Sequence, residues 1–439
     1  MTMGQARYRK KHDPTYGTMT VSEVKVNHAT GYPEYYPEEL VEDIKRRENE
    51  GFTQRNLDQI YSHVFHLGEY CQKFVQTLDN DFYNLEPMRV AFALLNSTHL
   101  GAFAYTSIGS DTQEKFDFIG LNIGTPAILL SNFYKILCSP HSFVGYGENE
   151  KEDQERAIHF LSRITDPDKD FVPPLCPVRR EYAALMTQLS LDFVLFHESA
   201  HLYHGHLDWL QHHRKGELSS IDSFTDFPVP AKDLTSQFFE VDADDCALQL
   251  TLFNILGYRE RYIAGKLNPE QEKVSAYNLI FASELLTLRA VLYSIYVLHR
   301  SNDYELWIDK IPTGSHPRGL LRARYMFNRF LEITTWLGIE QDNRDYFIDF
   351  CITVVFEAEQ DLARMEGGDV DKQTFIDVIK SNNASAHIKA INKIQPIVES
   401  ETFQYVRGNL FPSTALMKTK TSSSIPFRCA KPARFRRPY

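Results

Sequence analysis

Along residues 179–203 the apolar side chains Tyr182, Leu185, Leu189, Phe193, Phe196, Ala200 and Tyr203 recur at steps of three and four. That period places them on one buried stripe of a long α-helix. The segment Asp166 to Pro177, with Pro167, Pro173, Pro174 and Pro177, reads as a loop leading into a helix that begins near Arg179, and Gly205 supplies the stop. After a polar stretch to Asp233, a second helix is predicted from about Ser236 to Ile255, in SQFFEVDADDCALQLTLFNI. The same periodicity predicts helices from Leu57 to Leu78 and within 270–300, 318–337 and 345–366. Between Met88 and Asn122 the texture changes to β-favouring runs, Arg89–Leu95, Ala102–Ser107 and Phe116–Leu121, broken by Gly and polar turns. These predict a small antiparallel sheet, and the fold class is α+β, mainly helical.

The same pattern divides the chain into a charge-rich N-terminal extension at 1–85, a central domain at 86–330, a C-terminal helical region at 331–410 and a tail at 411–439. A chain of 439 residues can bury a sizeable core without staples, so a metal would serve chemistry rather than folding. The most apolar stretch, Asn278 to Leu298, carries Glu284 and Arg289 near its middle and predicts a buried helix, not a membrane span. Met1 to Pro14 is polar and basic with no apolar segment after it, which predicts no secretory signal.

Composition changes this picture little: 43% hydrophobic and 24% charged residues are ordinary for a globular protein, and no repeat of solenoid period is found. A formal charge of −11 argues against nucleic acid as a partner, since phosphate binding depends on clustered Lys and Arg. From Lys418 to Tyr439, by contrast, the chain holds seven Lys and Arg and no acidic residue, which reads as a solvated disordered tail or as a docking arm. The cysteines Cys71, Cys138, Cys176, Cys246, Cys351 and Cys429 are scattered without a C-x-x-C pair. That spacing suits neither a disulfide framework nor a thiolate zinc site, and it fits a reducing cytoplasm. Nothing in the sequence fixes an oligomeric state.

The candidate chemistry begins on the long helix. His197-Glu198-Ser199-Ala200-His201 is an H-E-x-x-H sequence, and residues four apart on a helix share one face, so both imidazoles can reach a single ion. Glu198 then flanks the ion and can act as the base toward water. Alone, H-E-x-x-H arises by chance often enough that a second element is needed. The predicted second helix carries Glu240-Val241-Asp242-Ala243-Asp244. Glu240 can complete a His, His, Glu ligand set with a fourth position open, and Asp244 can accept the free N–H of a ligand histidine. The alternative is a solvated acidic helix face, to which Asp242 and Asp245 would belong.

Other histidines crowd the same region. A metzincin arrangement would need Gly and His where His204 and Leu207 stand, so it does not apply. His204, His206, His212 and His213 are expected in surface or loop-packing roles. A third element, Ser315-His316-Pro317-Arg318-Gly319-Leu320-Leu321-Arg322, offers His316 to a developing oxyanion and Arg322 to bind a carboxylate or brace the site, with Arg324 as the alternative. The other reading of this element is a loop histidine before an ordinary basic helix.

In their order, HESAH, EVDAD and SHPRGLLR resemble the gluzincin pattern of H-E-x-x-H, then E-x-x-A-D, then H-P followed by Arg, similar to the HtpX and CaaX-prenyl-protease group. The resemblance implies a zincin-like active-site helix and zinc as cofactor. His197, His201 and Glu240 would be ligands, Glu198 the base and Asp244 a support to the ligands, with His316 and Arg322 lining the cleft. Those relatives are membrane-embedded, and this chain shows no spanning segment. The runs FIGLNIGTP at 118–126 and HESAHLYHGH at 197–206 resemble the Lit-like phage-exclusion peptidases, which would imply cleavage of a host protein during infection. The expected function is a zinc-dependent endopeptidase acting on a protein or peptide substrate laid along an edge of the sheet near residues 88–122. The alternative is a non-catalytic, zinc-stabilised protein-interaction module.

Overall fold

The β-favouring runs do form one sheet, seen in a computed structural model that describes residues 38–49, 51–82, 90–107, 117–153, 159–213, 220–222, 234–267, 274–302, 319–339 and 344–406. Helix α1 (Glu38–Glu48) and helix α2 (Gln54–Phe82) precede the strands β1 (Val90–Leu95), β2 (Ala102–Thr106) and β3 (Asp117–Asn122). A short strand β4 (Ser220–Asp222) completes the order β1-β3-β2-β4. The expected antiparallel sheet is in fact mixed: β3 pairs antiparallel with β2 and parallel with β1. Burial explains the order. Every residue of β3 is buried, whereas β1 is only partly so, and a strand covered on both faces belongs inside a sheet.

Side chains alternate between the two faces of this sheet. Ala91, Leu95, Phe103, Tyr105 and Phe118 pack under Leu40 and Ile44 of α1. Val90, Ala102, Ala104, Ile119 and Leu121 point the other way, into the main core with Ile60, Val64 and Phe74 of α2. The described part of the N-terminal segment thus packs on the sheet.

Helix α3 (Gly124–Cys138) leaves β3 directly, and α4 (Pro177–Tyr203) starts and ends where its prolines and Gly205 predict. Rather than burying a single stripe, α4 is buried at every residue from Leu189 to Tyr203, because α3, β2 and later helices surround it. Helix α5 (His206–His213) follows, then α6 (Leu234–Ile263), α7 (Glu284–Asn302), α8 (Gly319–Leu337), α9 (Arg344–Met365) and α10 (Asn382–Thr402). The helix expected over 270–300 comes in two pieces, Ser275–Ile280 and α7, where the Ser283 hydroxyl accepts a hydrogen bond from the Leu286 N–H at 3.2 Å and caps the second piece.

Among the described residues no helix is long and apolar enough to cross a membrane. Arg289 in the apolar α7 reaches Glu357 at 2.8 Å and lies over the Phe143 ring. A single hydrophobic cluster runs from Phe52 to Phe375 with α4 at its centre. The basic tail lies outside the described residues.

Candidate metal centre

Helices α4 and α6 approach closely because small side chains meet between them: Ala200 and Ala243 are fully buried beside Cys246. The approach brings the H-E-x-x-H face against Glu240. His197 and His201 face each other with Nε2 atoms 3.1 Å apart, and each Nε2 lies 3.4 Å from a different oxygen of Glu240. All three side chains are buried.

A tetrahedral ion with bonds of about 2.0–2.1 Å needs donors about 3.3–3.4 Å apart. The two imidazole nitrogens stand 3.1 Å apart and each has an oxygen of Glu240 at 3.4 Å, close to that separation, so these residues could hold a metal ion. They are the set expected from the sequence.

Behind His197 the support is ionic. Its Nδ1 lies 2.9 Å from Asp244 Oδ1, and Arg322 of α8 donates to both oxygens of Asp244, Nε at 2.8 Å and Nη2 at 2.6 Å. Burial would push the Asp244 carboxyl up, but the Arg322 guanidinium and His197 together hold it well below the usual carboxylate range. An ionised Asp244 only accepts, so His197 carries a hydrogen on Nδ1 and turns Nε2 toward Glu240. Burial also opposes charge on His197 itself, yet Asp244 and Glu240 outweigh it and lift its pKa to about 9. In the metal-free protein a proton therefore competes for the centre.

Arg322 also lies 3.7 Å from Glu240, while Arg324, the alternative, reaches toward Ser385 instead. Glu198 is fully buried, next to His197 on α4, where Arg322 feels its charge. His316 lies outside the described residues.

One expectation and one alternative reading change. Of the surface or loop-packing roles, the surface one does not hold for His204 and His206: both are buried, because the chain reverses at Gly205 and folds α5 back on the end of α4. Asp242 is not part of a solvated face either: it is buried against both histidines, while Asp245 pairs with Arg329 at 3.1 Å. His212 and His213 are exposed, as expected, with their Nδ1 atoms on the carbonyls of Asp208 and Trp209. Sequence reasoning missed His299, buried on α7 edge-on to Phe193 at 5.5 Å. Burial and the Arg322 charge press its pKa down to about 3, so it stands beside the centre as a neutral imidazole. A lone histidine in an apolar helix offered no signal. No protein-family model, curated protein or solved structure matches the chain.

Proposed function

We propose that this protein is a zinc-dependent endopeptidase of the gluzincin type, acting on a protein or peptide substrate. The observation that carries this reading is the convergence of His197, His201 and Glu240, with the imidazole nitrogens 3.1 Å apart and each 3.4 Å from a Glu240 oxygen, near the separation of zinc ligands. Two imidazoles and one carboxylate are a donor set that suits zinc and leave one position open. When bound, the ion would act as a Lewis acid, lowering the pKa of a water and polarising a peptide carbonyl.

The residues of the chain do the rest. Glu198 takes the proton from the attacking water and passes it to the leaving amine. Asp244 and Arg322 hold the His197 ring in one orientation and one tautomer. An extended substrate was expected along the sheet, but the outer side of β2, the strand nearest α4, pairs with β4 through Phe103–Asp222 and Tyr105–Ser220. The peptide would therefore add to the outer side of β4 or of β1.

Metal analysis and a peptidase assay test the proposal. Purified wild type should carry one zinc per chain, Glu240→Ala should lose it, and Glu198→Gln should keep it while turnover falls about 10²–10⁴-fold. Unchanged turnover in Glu198→Gln would remove the base, and unchanged zinc in Glu240→Ala would remove the site. The complete burial of Glu198 favours one second reading, a closed zinc site that stabilises a protein-interaction module. Stoichiometric zinc without cleavage of any substrate is the outcome that would select it.

A further inference from the structure

We propose that His206 and Asp242 are positioning residues for the metal centre: they form a hydrogen-bonded relay that holds His201 in the tautomer whose Nε2 lone pair faces the ion. The inference rests on the reading that His197, His201 and Glu240 hold a metal.

The relay is built where the chain reverses. Gly205 has φ +72°, and a Cβ there would come within 2.5 Å of the Tyr405 carbonyl oxygen. The reversal lays the His206 ring on Phe239, the residue before Glu240, with centroids 4.3 Å apart and planes 16° from parallel. In that position His206 Nδ1 lies 3.1 Å from His201 Nδ1, and His206 Nε2 lies 3.1 Å from Asp242 Oδ2. The same oxygen meets His204 Nδ1 at 2.5 Å.

Donor and acceptor roles then follow in sequence. A carboxylate oxygen accepts, so His204 and His206 both donate to Asp242, and His206 carries its hydrogen on Nε2. Its Nδ1 is left as an acceptor. A hydrogen bond between the two facing Nδ1 atoms therefore requires the hydrogen on His201, which frees His201 Nε2 for the ion. His197 receives the same service from Asp244 directly; for His201 one imidazole stands between ligand and carboxylate.

Could His204, His206 and Asp242 instead hold a second ion? They are close enough for it, but the 2.5 Å between His204 Nδ1 and Asp242 Oδ2 is far below the roughly 3.3 Å edge that two zinc ligands need. It is a direct, short contact between an N–H donor and a carboxylate.

Zinc affinity, measured by competition with a chelator, separates this relay from a mere packing role. His206→Phe keeps an aromatic ring on Phe239 but has no acceptor, and its zinc affinity should fall 10–100-fold. His206→Gln, whose amide oxygen can accept from His201, should stay within about threefold of wild type. Asp242→Ala should lose about tenfold in the wild-type background and almost nothing beside His206→Gln, because Asp242 acts through His206. Melting of the metal-free variants reports folding; if His206→Phe does not fold, the Asp242→Ala pair decides. Wild-type affinity in His206→Phe, equal losses in Phe and Gln, or an undiminished Asp242→Ala effect beside Gln would each overturn the relay. Glu240→Ala is the control for the underlying reading: if it binds zinc as wild type does, the metal centre itself is wrong, whereas loss in Glu240→Ala with no loss in the relay variants defeats the relay alone.

Discussion

Replacing Arg322 with methionine isolates the charge that holds the centre together. Arg322 is 2% exposed and donates to both oxygens of Asp244, itself 2% exposed, while its third nitrogen lies 3.7 Å from Glu240. Methionine fills similar volume but strands a buried carboxylate, and breaking one partner of such a pair costs about 3–5 kcal/mol. With an unfolding entropy near 2.1 cal/mol/K per residue over 439 residues, the metal-free protein should melt roughly 3–5 °C lower. Differential scanning calorimetry of wild type, Arg322→Met, Asp244→Asn and the double variant completes the test. Once Asp244 is neutral, Arg322 has less to compensate, so the double variant should cost clearly less than the two singles together. Additive losses, or an Arg322→Met protein that melts with wild type, would refute the view that this pair carries the buried charge of the site.

Two further outcomes follow from the packing around the centre. Ala243→Leu inserts bulk where α4 and α6 touch, which should cost about 1–3 kcal/mol in thermal unfolding and weaken zinc binding as Glu240 is levered away, whereas Ala243→Ser should do neither. His387 donates from Nε2 to Gln237 at 2.6 Å and accepts on Nδ1 from the Tyr325 hydroxyl at 2.9 Å, and burial presses its pKa down to about 4. Between the unfolded value near 6.5 and that folded value the unfolded chain binds the extra proton, so stability should fall with falling pH by up to about 1.4 kcal/mol per unit. The gap between the urea midpoints at pH 7 and pH 5 should narrow in His387→Gln, and an unchanged gap would refute the assignment.

Some of this was legible in the sequence and some was not, for reasons that differ by element. The ends of α4 were legible because Pro177 and Gly205 act locally, and the His197–His201 pair was legible because one helical turn dictates which side chains share a face, whereas Glu240, on another helix, was legible only through the E-x-x-A-D resemblance. Strand positions were likewise readable, but strand order was not, since pairing depends on burial from both sides; the unbroken apolar run Phe118–Leu121 was the available signal for a central strand. Asp242 and Asp244 sit on different faces of α6, and a sequence cannot say that both faces are covered. The covering comes from α4 and α8 for Asp244 and from the reversal at Gly205 for Asp242.

That difference in covering has a structural consequence for the two histidines of the motif. His197 is fastened through Asp244 to Arg322 on α8, whereas His201 is fastened through His206 to α5, so the centre depends on two separate elements docking on α4. The second depends in turn on the C-terminal helical region. Trp209 of α5 donates to Glu401 at 3.1 Å, the Tyr405 carbonyl closes over Gly205, and His387 ties α10 to Gln237, three residues before Glu240. Helix α10 thus braces both the reversal that places His206 and the helix that presents Glu240. A segment remote from the H-E-x-x-H motif in sequence stands directly behind the centre in space, and loosening it acts on His201 and Glu240 together while leaving the Asp244–Arg322 anchor of His197 in place.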